Sequence, residues 1–450
     1  MRVMKWSMIA LAVTAATGAQ VAMADPFVTD QADAKGFVEG ASAGVVLKNY
    51  YFNRDKIDGK HDDQIDWTQG VLGKFSSGYT QGTVGVRVEG FGDAGYRLDG
   101  SDGHSGTGNM SVGQDNSGNK QVNDSMGKAG AAVAVRISKT ELKFGDQSPS
   151  TAPVFAVGGS RLFQQTARGF QLQSSEVKDL DLEAGHFYAG SSQDKTSLQG
   201  NLWTQYGGTQ VESVDYVGGK YGINENLSVS LYGAKFKDTW NQYYTNANYT
   251  LPLATDQSLN FDFNLYQTND TGAAKAGKID NTAYSLAAAY SFLKAHTVTL
   301  AFQQVHGDEP FDYVGVGDNN RGGDSIFLAN SVQYSDFNGP GEKSYQARYD
   351  LKMAEYGVPG LSFMARYVHG SGIDGTHQNS IYANSQSNNS FGANGKHFET
   401  NLEAKYVVQA GPLKDLSFRA RQAWHRGNAD DGDINVNEFR LITEYPISIL

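Results

Sequence analysis

Arginines at alternate positions are the part of this sequence that could do chemistry. Arg419 and Arg421 stand in tandem on the polar side of an alternating apolar/polar stretch, with no acid on that side among Ser417, Ala423 and His425. Arg87, Arg136, Arg348, Arg366, Lys405 and Arg440 hold the same polar parity in their own stretches. A guanidinium is a planar fork of N–H donors that matches a carboxylate bidentately. A row of them makes a local attractive field for anions, even in a chain whose formal net charge is −11. The chemistry this implies is reversible binding, a track for carboxylate solutes. The plainer reading is pairing with acids of the same parity, for which Glu89, Asp350, Glu403 and Glu444 are available. Arg136, flanked by Ala134 and Ser138, has no such acid on its own stretch.

Other chemistries find little support. The 450 residues contain no Cys, which excludes thiol catalysis, Cys-ligated zinc and disulfides. Gly90-Phe91-Gly92-Asp93-Ala94-Gly95 matches a dinucleotide fingerprint, but a Gly/Ser/Asn run follows where a helix is needed. Gly40-Ala41-Ser42-Ala43-Gly44 matches a nucleophile elbow yet leads into the strand-like Val45-Val46-Leu47. The nine His residues include no H-x-x-x-H pair. Asp430-Asp431-Gly432-Asp433 lacks the spaced ligands and terminal Glu of an EF-hand, and reads as a solvated hairpin loop able to touch divalent ions at the cell surface. No cofactor and no resident metal are expected. The acidic balance argues against a nucleic-acid partner.

The elements that must position the arginines are short and extended. Residues 1–24 place Arg2 and Lys5 ahead of an apolar run from Met8 to Ala16 and end on Ala22-Met23-Ala24. That is a secretory signal peptide with an A-x-A cleavage site, leaving 25–450 as the mature unit. The apolar run is well short of the ~20 residues of a membrane-spanning helix. Thereafter the pattern has period two. Leu259, Phe261, Phe263 and Leu265 alternate with Ser258, Asn260, Asp262 and Asn264; Phe439, Leu441, Tyr445 and Ile447 alternate with Glu438, Arg440, Glu444 and Ser448. Such alternation puts each set on one face of a strand.

Connections between these stretches alternate between short ones, such as 222–225, 255–257 and 293–296, and long polar ones, such as 99–128, 307–343 and 370–396. Outer-membrane barrels show this asymmetry of periplasmic turns and extracellular loops, with the apolar face outward. The fold class expected is therefore all-β: a transmembrane antiparallel β-barrel of eighteen strands closed by a last strand ending at Leu450, with 197–206 open between strand and loop. So wide a barrel needs a constriction. Segment 146–166 supplies it, because Pro149, Pro153 and Gly158-Gly159 break any strand while Val154, Phe155, Val157, Leu162 and Phe163 are too apolar for a solvated loop. Arg161 and Arg168 are placed at this eyelet.

Over essentially the whole mature chain the sequence resembles the OprD-type outer-membrane porins. The matching stretches are Phe27-Val-Thr-Asp-Gln-Ala-Asp-Ala-Lys-Gly-Phe37, Asn49-Tyr-Tyr-Phe-Asn-Arg54, Arg161-Leu-Phe-Gln-Gln-Thr166, Asp324-Ser-Ile-Phe-Leu-Ala-Asn-Ser-Val-Gln-Tyr334, Gly339-Pro-Gly-Glu-Lys343 and Glu438-Phe-Arg-Leu-Ile442. The resemblance implies a monomeric or weakly oligomeric barrel in outer-membrane lipid and lipopolysaccharide, an arginine ladder matching Arg366, Arg419, Arg421 and Arg440, a narrow eyelet, and passive uptake of small carboxylates. Gln164 departs from the family's usual Pro, so the turn there is expected to differ. Relatives divide into channels for monocyclic or aromatic acids such as benzoate, the BenF-like branch toward which this chain leans, and channels for basic amino acids or peptides, the alternative. Phe155, Phe163 and Tyr313 are the aromatic residues expected near the eyelet. A barrel hydrolase is the remaining rival, with no motif to support it.

Overall fold

The computed structural model describes residues 26–57, 59, 61–99, 106–114, 120–318, 323–384 and 391–450. The expected signal peptide lies outside them. Eighteen strands form one antiparallel sheet. They are β1 (Ser42–Lys56), β2 (Gln64–Ser76), β3 (Val84–Asp99), β4 (Ser125–Ile137), β5 (Thr140–Gln147) and β6 (Thr166–Val177). There follow β7 (Leu180–Ser191), β8 (Val214–Asn224), β9 (Leu227–Phe236), β10 (Trp240–Ala254), β11 (Gln257–Asp270) and β12 (Asp280–Phe292). The last six are β13 (His296–His306), β14 (Lys343–Lys352), β15 (Leu361–Ile373), β16 (Gly395–Val407), β17 (Ser417–Gly427) and β18 (Val436–Ser448). Each pairs with its chain neighbours, and β1 pairs with β18 from Gly44↔Ser448 to Lys56↔Val436, so the sheet closes on itself. Closure satisfies the backbone without an edge, which is what lets β-structure sit in hydrocarbon.

The period-two reading carries directly into the wall. Val217, Leu231, Leu300 and Tyr345 point outward and stay exposed, while their strand neighbours Tyr216, Tyr232, Ala301 and Ser344 are buried inside. Turns at one end are tight. Ser138 and Asp179 adopt positive φ in two-residue turns, and the Asn224 side chain accepts from the backbone N–H of Asn226 and Leu227 to shape another. This is the periplasmic end by the usual barrel asymmetry. The N-terminal segment straps across it: Gln31 donates to the carbonyls of Thr80 and Gly82, and the Phe27 N–H to Asp181.

The opposite end carries the long loops, which pack into the barrel. Segment 197–206 proves to be loop; only Leu202–Thr204 is extended, pairing with Gln210–Val211 and Val314–Val316 in a small sheet inside the mouth. Segment 148–165 folds inward as expected, with Val154, Phe155, Val157, Leu162 and Phe163 buried. Phe155 stacks on Phe187 of β7 with ring centroids 4.8 Å apart, and Leu162 and Phe163 fill the space over Gly70 and Gly95 of β2 and β3.

Candidate functional site

Three wall residues hold the inward segment by its carbonyls. Lys48 Nζ donates to Arg161 O (2.8 Å), Tyr50 Oη to Ser160 O (3.0 Å), and Lys128 Nζ to Gln164 O (2.7 Å) and Ser192 O (3.1 Å). These bonds fix the inward segment to β1 and β4. Gln164, the departure from the family pattern, sets its side chain 3.5 Å from Lys74 Nζ.

The arginines form an arc on the wall facing that segment. Arg348 lies on β14, Arg366 on β15, Arg419 and Arg421 on β17, Arg440 on β18 and Arg54 on β1, and β18 and β1 are neighbours. Arg54, Arg161, Arg348, Arg421 and Arg440 line one lumen cavity of about 840 Å3. The Phe52 ring organises three of them: the guanidinium carbons of Arg54, Arg161 and Arg440 stand 5.3, 5.0 and 5.1 Å from its centroid. Cations gather on an aromatic face because the ring quadrupole attracts them. Burial, with Arg440 and Arg54 beside it, pushes the Arg161 guanidinium down to about 10, so it remains charged at neutral pH.

Acids hold the arc in shape. Glu438, fully buried, accepts from Arg54 Nε (2.7 Å) and from Arg440 (2.6 Å). Glu403 on β16 contacts Arg419 at 2.8 Å and Arg421 at 3.2 Å. Asp350 chelates Arg348 through both oxygens, at 2.7 and 2.8 Å. The four acids read from parity all sit in ion pairs: Glu89 meets Arg87 at 2.7 Å and Glu444 meets Lys48 at 3.3 Å. Arg419 and Arg421 lack an inward acid on their own strand, as the sequence indicated, yet Glu403 reaches them from the next one. Even so, Arg421 lines the cavity, whereas Arg419 does not.

The remaining sequence-predicted residues lie elsewhere. Arg87 and Arg136 stand at the periplasmic end around the Tyr79 ring, and Arg136 spends its donors on Gln31 Oε1 (3.0 Å) and Thr29 Oγ1 (2.7 Å). Arg168 forms a bidentate pair with Asp146, both bonds 2.8 Å. Arg366 gives Nε to Asn401 (2.9 Å), and Lys405 is exposed at the turn end of β16. Arg54 was missed as a site residue, although it shares the parity of Lys48, Tyr50 and Phe52 on β1. The reading of 430–433 as a solvated loop is corrected: Asp431 is buried. Phe155 and Phe163 are taken up by packing, and of the three aromatic candidates only Tyr313 lines the cavity.

The lumen also carries acids and amides. Asp336 accepts from the hydroxyls of Tyr206 (2.6 Å), Tyr313 (2.9 Å) and Ser331 (2.6 Å). Asp324 lies beside it, pushed up to about 7 by burial and by the Asp336 charge. Asn246, Asn248 and Asn264 converge on Asp262 across β10 and β11. Asp324, Asp336 and Asp262 all line the same cavity as the arginines.

A closed barrel with lipid-facing apolar residues, an inward loop and a charged lumen defines an outer-membrane channel rather than an enzyme. The family model for outer membrane porins of the OprD family matches residues 35–449, and the chain belongs to that family. It is 61% identical to Porin D of Pseudomonas aeruginosa, each chain covered in full. The crystal structure of P. aeruginosa OprD superposes with a TM-score of 0.82 at 58% identity, covering 95% of this chain and all of that one. A BenF-like porin from Pseudomonas fluorescens Pf-5 superposes equally well, TM-score 0.82, at 30% identity, covering 92% of this chain and all of its own. The chain is thus a bacterial outer-membrane porin that passes small solutes.

Proposed function

We propose that this porin passes small carboxylates along the arginine arc, and that its preferred solutes carry a cationic group as well, as basic amino acids and short basic peptides do. One observation carries this: Asp324 and Asp336 line the same cavity as Arg54, Arg161, Arg348, Arg421 and Arg440. A solute with a carboxylate at one end and an ammonium or guanidinium at the other finds a group of opposite charge for each end within that one cavity. Benzoate meets one only, and its ring finds Phe155 and Phe163 already buried against the wall.

The monocyclic-acid reading keeps one support, the Tyr232, Tyr244, Tyr313 and Tyr334 side chains along the same cavity. Proteoliposome uptake separates the two. Arginine and lysine should enter faster than benzoate and saturate with concentration. Faster entry of benzoate, with no competition from arginine, would return the channel to the aromatic-acid branch. Equal, unsaturable entry of all solutes would remove substrate selectivity altogether.

A further inference from the structure

His397 on β16 and His425 on β17 meet at the extracellular end of the wall, Nδ1 of the first 2.8 Å from Nε2 of the second. The other nitrogen of each ring is tied to a group that only accepts. His397 Nε2 lies 2.7 Å from Glu342 Oε1, and His425 Nδ1 lies 3.2 Å from the carbonyl oxygen of Ile434. When both imidazoles are neutral, those acceptors take the single N–H of each ring and the two inner nitrogens meet as lone pairs. Lone pairs that close repel each other unless a cation, a proton or a metal ion, lies among them.

Asp431, from the 428–435 loop, completes the group. Its Oδ1 accepts from the Asp433 N–H at 3.2 Å, while its Oδ2 is buried without any hydrogen-bond partner. A buried carboxylate oxygen left unpaired is costly, and a proton held between the two rings leaves it unpaired still. Gly427 makes the room for it, since a Cβ at that position would collide with Oδ2. His397, His425 and Asp431 are 3%, 0% and 2% exposed, and their donor atoms lie within 4.8 Å of one another. None of the three belongs to the arginine arc.

We propose that His397, His425 and Asp431 form a site for a divalent transition-metal ion of the zinc class, and that the ion staples the 428–435 loop to the barrel wall. Two imidazoles and one carboxylate suit zinc, copper or nickel, whereas calcium and magnesium call for oxygen ligands throughout. A tetrahedral ion about 2.0–2.1 Å from each nitrogen holds them about 3.3 Å apart, so the rings need to part by about half an ångström, with water as fourth ligand. Glu342 is the outer carboxylate that orients a ligating histidine, and Phe337, stacked on the His397 ring at 4.2 Å, holds it in plane.

The test is a calorimetric titration of the purified, chelator-stripped barrel in detergent with zinc chloride. One ion per chain is expected in the wild type and in His186→Gln, which alters the exposed His186–Asp215 pair on a distant part of the wall. His425→Gln and Asp431→Asn should each weaken binding by about tenfold or more, and Glu342→Gln by about 10–100-fold. Magnesium should give no saturable heat. Absence of saturable zinc binding in the wild type, or unchanged binding in His425→Gln, overturns the site. Unchanged binding in Asp431→Asn overturns the staple. Should His425→Gln fail to form the heat-modifiable barrel, cobalt loading of the wild type decides: intense tetrahedral visible bands that weaken in folded Asp431→Asn support the site, and their absence overturns it.

Discussion

Arg421 and Arg440 stand directly opposite each other across the β17–β18 ladder, like charges on one face of adjacent strands. Arg348 and Arg366 repeat the relationship across β14 and β15. Directly opposed like charges destabilise a sheet, so the arc is held against its own repulsion by Glu403, Glu438 and Asp350. Arg421→Gln is therefore expected to raise the stability of the barrel by roughly 0.2–1 kcal/mol while slowing carboxylate uptake. Thermal unfolding in detergent and proteoliposome uptake read the two effects. Lys178→Gln, on an exposed turn lysine, should change neither. An Arg421→Gln channel that transports as well as the wild type would take Arg421 out of the solute path.

Glu438 should matter to stability in the opposite sense. Glu438→Gln leaves Arg54 and Arg440 buried beside each other without their shared counter-ion. Removing one partner of a buried ion pair costs about 3–5 kcal/mol. A marked fall in the temperature of the heat-modifiability transition is expected, and an unchanged temperature would show that water or ions already screen the pair.

Constriction is predicted to depend on the lysine anchors. Lys128→Met removes the donor to Gln164 O and Ser192 O without altering the length of the side chain much. The inward segment then loses one of its ties, and single-channel conductance in planar bilayers should increase and become noisier. A conductance trace identical to the wild type would mean that Lys48 and Tyr50 suffice.

Asp324 in the lumen should titrate. With Asp324 pushed up to about 7, its carboxylate is protonated and neutral below that pH and charged above it. Uptake of arginine relative to benzoate should therefore rise between about pH 6 and pH 8, and Asp324→Asn should flatten that rise. A ratio independent of pH in both proteins would exclude Asp324 from the solute path.

Much of the barrel was legible because burial on one face and lipid on the other write a period of two into every strand, and a tight turn needs few residues. Strand parity alone put Arg348, Arg366, Arg421 and Arg440 inside. It could not show Glu403 reaching Arg419 and Arg421, because a partner on the next strand depends on register. Nor could it place Arg136, whose partners Gln31 and Thr29 come from an N-terminal segment with no periodic signal of its own. Arg54 hid for a different reason: its cavity is made by Phe52, Arg161 and Glu438, which only the inward loop and the β1–β18 pairing bring together. The apolar character of Phe155 and Phe163 likewise showed that their segment turns inward, but whether the rings face the solute or press on the wall depends on neighbours such as Phe187 that lie far off in the chain.

The pairing of β1 with β18 also means that the sheet closes only when its first and last strands meet. The seam joins the first strand made to the last, so until residues 436–448 are in place the growing sheet keeps two open rims, each a template for joining another copy. Newly exported chains are then most vulnerable to clumping immediately before closure, and a defect confined to the seam should show itself as lost yield of inserted protein rather than as altered solute traffic.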